Sequence, residues 1–131
     1  MALIYTESQK ISDVLGANPV PLPTRSVKIA SGQGTLGPGS VMVGGTDDIF
    51  HLIQVADLVT PLPQIGILGE WISTGTVAVP SETITAALFF GGEFRESRLV
   101  VFDETPPVNL FAIRELLLRH NIYLASSGPG Q

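Results

Sequence analysis

Read as a pattern of apolar and polar positions, the chain divides into an irregular beginning, a long stretch of short alternating runs and one helical period near its end. Residues 26–30 (SVKIA) put Val27 and Ile29 on one side and Lys28 on the other, the period-two alternation of a half-buried strand. A turn cluster follows, because residues 31–39 (SGQGTLGPG) hold four glycines and a proline. Val41 and Val43 begin a second alternating run that closes at Gly44-Gly45, and residues 49–55 give a third that alternates less cleanly. Residues 64–71 (QIGILGEW), 83–90 (TITAALFF) and 98–102 (RLVVF) predict further strands, about six in all, with turns at Gly75, Pro80-Ser81 and Gly91-Gly92. Within 98–102, Val100 and Phe102 share one face and Leu99 and Val101 the other. That pattern predicts a strand buried on both sides, or one with a side facing another subunit.

The helical period lies near residues 109–121. Leu110, Ile113, Leu116 and Leu117 recur at spacings of three and four, and Arg114, Glu115 and Arg119 fall mostly opposite. Thr105 before Pro106, or Asn109 before Leu110, supplies a cap, and Asn121 tolerates the left-handed backbone that ends a helix. Ile122-Tyr123-Leu124 then predicts a short strand or docked extension, and residues 125–131 a loose tail. Residues 1–25 stand apart as an N-terminal arm. Pro19, Pro21 and Pro23 remove three backbone donors and favour extended backbone, and the possible helical turn at residues 8–15 is too short to stand alone. The expected architecture is mainly β (α+β): a small β-rich domain over residues 26–124 with one C-terminal helix and an extended arm.

Composition narrows the function. With 131 residues, 44% hydrophobic and 15% charged, the chain suits one domain with a modest core. Its net charge of −5 opposes nucleic acid and anionic membrane surfaces, so neither is an expected partner. The absence of cysteine removes disulfides, thiolate metal sites and cysteine nucleophiles. With no apolar run of spanning length and no basic, apolar leader at the start, the expectation is a soluble chain made in a cytoplasm.

Candidate chemistry is sparse. Residues 32–37 (GQGTLG) match G-x-G-x-x-G literally after a predicted strand, with Asp57 twenty residues beyond the last glycine. A dinucleotide site needs a helix to follow, whereas Pro38-Gly39 and another strand pattern come next, so a glycine-rich strand connection is expected. Asp47, Asp48 and Asp57 lack the spacing of a calcium loop, and residues 44–48 (GGTDD) read as a solvated turn. His51 and His120 are too few for a three-histidine zinc site. His120 is expected to sit as a cation at the helix C-terminus. Glu93, Arg95, Glu96 and Arg98 read as a solvated hairpin or an ion-pair network between subunits, and Trp71, Phe89 and Phe90 as core or subunit interface. Neither an enzyme nor a cofactor site is expected.

The order of these features resembles the head decoration (capsid cement) proteins of tailed bacteriophages, of the lambda decoration-protein type. The resemblance starts at residues 12–18 (SDVLGAN) and 24–26 (TRS). It continues through 27–33 (VKIASGQ), 36–42 (LGPGSVM) and 65–68 (IGIL) to 112–124 (AIRELLLRHNIYL). Each motif concerns packing or turning; their order over most of the chain carries the likeness. Asn121 stands where the family often has glycine, and the prolines at 19–23 and 61–63 are unusual.

That resemblance implies a small β-tulip-like domain that assembles as a homotrimer on the outer surface of an expanded capsid, binds the major capsid protein, and holds the shell against packaged DNA. It also implies that the arm, with Leu3, Ile4, Tyr5, Ile11, Val14 and Leu15, orders on the shell by strand addition. Deleting residues 1–23 is then expected to leave a folded domain that binds shells weakly. Two other readings stay open: another virion or tail component, and a ligand-binding β-barrel with His51, Asp57 and Glu70 lining a pocket.

Overall fold

Five of the alternating runs close on themselves. In a computed structural model that describes residues 2–3, 23–45, 48–58, 64–79, 82–103 and 110–125, they form a barrel. Its strands are β2 (Thr24–Ala30), β4 (Val41–Gly44), β5 (Ile49–Leu52), β6 (Gln64–Leu68) and β8 (Thr83–Phe89), in the spatial order β2-β5-β4-β6-β8. β2 and β8 pair antiparallel along their full length, from Thr24 opposite Phe89 to Ala30 opposite Thr83, and β2 meets β5 in parallel. Closure removes exposed sheet edges from the barrel wall.

Alternation along each strand sorts the side chains into two cores. Val27, Ile29, Met42, Phe50, Leu52, Leu68, Ala86 and Leu88 form one buried cluster with Leu36, which fills the barrel interior. Val41, Val43, Ile65 and Ile67 alternate with them and join a second cluster on the outer wall, with Ile53, Phe94, Ile113, Leu117 and Ile122. Every residue of β4 is therefore buried, since both of its faces are covered.

The cover over the outer wall comes from the C-terminal half. Helix α1 (Leu110–Leu118) turns Ile113 and Leu117 into the second core and leaves Arg114 and Glu115 exposed. Asn121 then takes φ 62°, the left-handed residue expected to end the helix. β11 (Ile122–Ala125) returns and pairs in parallel with β9 (Gly92–Arg95). Among the described residues no helix is long and apolar enough to cross a membrane.

Three readings of the sequence change. Residues 92–98, where the charges suggest a solvated hairpin or an ion-pair network between subunits, contain β9, and Phe94 within it is fully buried. Residues 98–102 do not make one strand: a 3-10 turn at Glu96–Arg98 precedes a single bridge from Val100 to Ser40 and the two-residue β10 (Phe102–Asp103). The turn formed by residues 37–40 lies beside this segment, and the Gly39 carbonyl accepts the Val100 N–H at 2.9 Å. Burial on both sides, as the pattern implied, is thus met within the chain, with Leu99 and Val101 against the outer core and Phe102 against the inner one. Finally, Thr24 and Arg25, assigned to the arm, open β2, and the carbonyl of Pro23 already accepts the Phe90 N–H at 2.8 Å.

Candidate functional site

The glycine-rich segment is a structural joint. It leads into a short strand, β3 (Thr35–Leu36), paired with β7 (Ile72–Ser73), and no helix follows to meet a phosphate. Loop 31–34 is stitched to loop 74–79. Gly32 N–H donates to the Thr74 carbonyl at 2.8 Å and Gly34 N–H to the Gly75 carbonyl at 2.9 Å, while Thr74 N–H returns to the Gly34 carbonyl at 2.8 Å. The Ser31 hydroxyl donates to the Val79 carbonyl at 2.9 Å and accepts the Val79 N–H at 2.8 Å. The Gln33 side chain spans further, donating to the Ala30 carbonyl and accepting the Leu52 N–H, both at 2.7 Å. Backbone groups that an anion would need as donors are spent inside the fold. Gly37 packs flat under the Trp71 ring, where an added Cβ would meet ring carbons at 2.7 Å.

His51 and Asp57 do come together. The His51 Nε2 lies 3.0 Å from Asp57 Oδ2, and that oxygen also accepts the Gln54 N–H at 2.8 Å. The pair ties β5 to the 3-10 turn Val55–Leu58 on the outside of the barrel, since Phe50 and Leu52 on either side of His51 point inward. Glu70 is elsewhere: its Oε2 accepts the Ala87 N–H of β8 at 3.1 Å. The barrel interior, where a ligand-binding barrel would hold its pocket, is filled by apolar side chains.

The acidic candidates likewise separate. Asp48 accepts from the Gln64 amide at 2.7 Å and lies 3.6 Å from Arg25, whose guanidinium also donates to Gln64 and stacks 4.7 Å over the Phe90 ring. Asp47 lies outside the described residues. Glu96 pairs with Arg114 of α1, so one member of the charged cluster ties the β9 turn to the helix within the chain.

At His120 burial works against the cation that the helix end favours. His120 is half-buried, and burial lowers its pKa below the ordinary imidazole value. The folded form thus resists a proton that the unfolded chain accepts. Stability is complete above the unfolded value and falls as pH drops through it toward the lower folded value. Between about pH 8 and about pH 5, the parent is expected to lose more thermal stability than His120→Gln, as read by melting curves of both.

Of the arm residues, Leu3 lies in β1 (Ala2–Leu3), which pairs antiparallel with β10, Leu3 opposite Phe102. Ile4, Tyr5, Ile11, Val14 and Leu15 lie outside the described residues. The exposed large apolar side chains among the described residues are Trp71, Val77, Leu118 and Tyr123. Sequence reading singled out Trp71 alone. Leu118 was legible, since the stripe through Ile113 and Leu117 leaves the last leucine of the triplet off the buried face. Val77 carries no periodic signal at all. No protein-family model matches the chain, and no curated protein matches it significantly.

Proposed function

We propose that this chain is a head decoration protein of a tailed bacteriophage. In this reading it is made in the host cytoplasm, binds the major capsid protein on the outside of the expanded shell as a trimer, and strengthens the shell against internal DNA pressure. The supporting observation is where the family-like motifs lie. Residues 27–30 fall in β2, residues 36–39 in the buried turn beside Trp71, residues 65–68 in β6, and residues 112–124 in α1 and β11. Each motif thus belongs to a strand, turn or helix of the fold, and it is their order along the chain that resembles the family.

Two further features favour a mechanical role. The polar groups that invite chemistry, His51, Asp57, Asp48 and Glu96, are used to tie one element to another. The first residues of the arm already form strand pairing, but over two residues only, a contact weak enough to yield to or be extended by a partner strand. Binding to the assembled shell but not to its separated subunits stabilises the shell by mass action, and three linked contacts per trimer multiply the effect.

Co-sedimentation with expanded, undecorated shells, with unexpanded procapsids as control, tests the reading. Saturable binding to expanded shells alone is the expected result. Deleting residues 1–22 spares Pro23 and its bond to Phe90, and is expected to keep cooperative unfolding while weakening shell binding at least about tenfold. Binding to tails in place of shells would assign the chain to another part of the virion, and binding to neither would refute the proposal.

A further inference from the structure

At the seam where the barrel closes, β6 and β8 run side by side for two residue pairs only, Ile67 opposite Phe89 and Leu68 opposite Leu88. Beyond Leu68 the chain leaves β8 and goes on to β7, which pairs with β3 instead. β2 stays beside β8 as far as Thr83, so residues 83–87 are paired along one edge and not along the other. Two bonds fix which way their backbone groups point. Phe90 N–H donates to the Pro23 carbonyl, on the β2 side, and Ala87 N–H donates to the Glu70 carboxylate, on the side that β6 has left. Because an antiparallel ladder alternates, Thr83 and Thr85 turn their N–H and C=O the same way as Ala87, and these groups meet no partner among the described residues.

The same edge has room beside it. A groove of about 690 Å³ is lined by Thr83 and Ile84 together with Ser73, Thr74 and Val77 of the loop that follows β7. At the other end of the edge, Glu70 Oε2 stands 3.1 Å from the Ala87 nitrogen, in the role that a carbonyl of a neighbouring strand would fill.

We propose that this open edge of β8, residues 83–87, accepts an extended segment of the shell protein as an added strand, a carbonyl of which replaces the Glu70 carboxylate on Ala87. The shell protein as partner rests on the decoration-protein reading, and the exchange runs opposite to that of the arm, which gives a strand and does not receive one. Backbone chemistry selects the occupant: unpaired N–H and C=O groups at every second residue, over about 13 Å of extended chain, complement another extended backbone. Charge does not select it, since Glu70 and Glu82 lie at the two ends of the edge and Lys28 lies opposite Thr85 on β2. In the free protein Glu70 guards the edge, because a carboxylate held on an edge N–H competes with any strand that would pair there.

Amide hydrogen exchange of the full chain, free and bound to expanded shells, tests the site. Residues 83–87 are expected to gain at least about tenfold protection on shells. Thr85→Pro removes an N–H that β2 does not use, a change an open edge tolerates, and is expected to weaken shell binding at least about tenfold with an unchanged circular dichroism spectrum. Thr85→Val keeps the N–H and is expected to bind within about threefold of the parent, and Glu70→Ala, which frees the Ala87 N–H, to bind at least about threefold more tightly. A parent that binds shells with residues 83–87 unprotected would overturn the proposal and leave the decoration reading standing, and this measurement needs no variant. A folded Thr85→Pro that binds like the parent, a Thr85→Val as damaging as Thr85→Pro, or a Glu70→Ala that binds more weakly would overturn it too. Protection that rises with protein concentration in the absence of shells would make a second copy the occupant, and would also overturn it. A parent that ignores expanded shells would remove the decoration reading and the shell strand with it.

Discussion

Gly32→Ala is expected to destabilise the folded chain by about 3 kcal/mol, enough to lower the melting temperature by roughly 10 °C. Two independent costs meet at this position. The backbone has φ +82°, which an L side chain adopts only with strain of about 1 to 2 kcal/mol. A Cβ there would also lie 2.5 Å from the N and Cα of Ala78, backbone atoms that cannot swing aside without breaking the stitches between the two loops. Gly34 separates the two causes, because it has φ +74° and open space around its Cα. Gly34→Ala is therefore expected to cost about 1 kcal/mol, the conformational part alone. Thermal melts of the two variants side by side check this, and equal losses would mean that the approach of Ala78 to Gly32 is not a constraint on the fold.

Phe94→Ala should cost still more, about 4 kcal/mol, in the range measured for aromatic truncations in closed cores. Phe94 is fully buried in the cluster that joins the barrel wall, through Val41, Val43, Ile65 and Ile67, to Ile113 and Leu117 of α1 and to Ile122. Its ring also meets that of Phe89 at a centroid distance of 5.9 Å. Helix α1 is too short to persist by its own hydrogen bonds, so its stability comes from this packing. Denaturant unfolding is expected to show a lower midpoint with the helical and tertiary signals lost together, and Phe94→Leu to recover most of the difference. A loss below about 1 kcal/mol would place Phe94 outside the joint between barrel and helix.

Some of this was written locally and some was not. The β-rich class, the barrel strands and the helix followed from period-two and period-3.6 patterning, because each element has to bury one face whatever its neighbours are. The reading of 32–37 as a strand connection, and of Asn121 as the helix-ending residue, rested on backbone sterics, which act within a few residues. The site was less legible. His51 and Asp57 were both singled out, but their pairing depends on the bend of the chain between β5 and the following turn. Glu70 was grouped with them and is bonded to β8.

Phe94 shows the boundary most clearly. Four charged residues within 93–98 suggest a solvated surface, yet one residue among them lies at the centre of the second core. The alternation of Glu93, Phe94 and Arg95 was a strand signal, but charge density masked it. Which segments alternate and where the backbone must turn were legible from neighbours along the chain, and its acidity from composition. That the barrel closes, and that β9 and β11 meet in parallel thirty residues apart, was settled by contacts between distant segments. Those outcomes depend on burial between distant segments, and the free energy of such burial belongs to no single stretch of sequence.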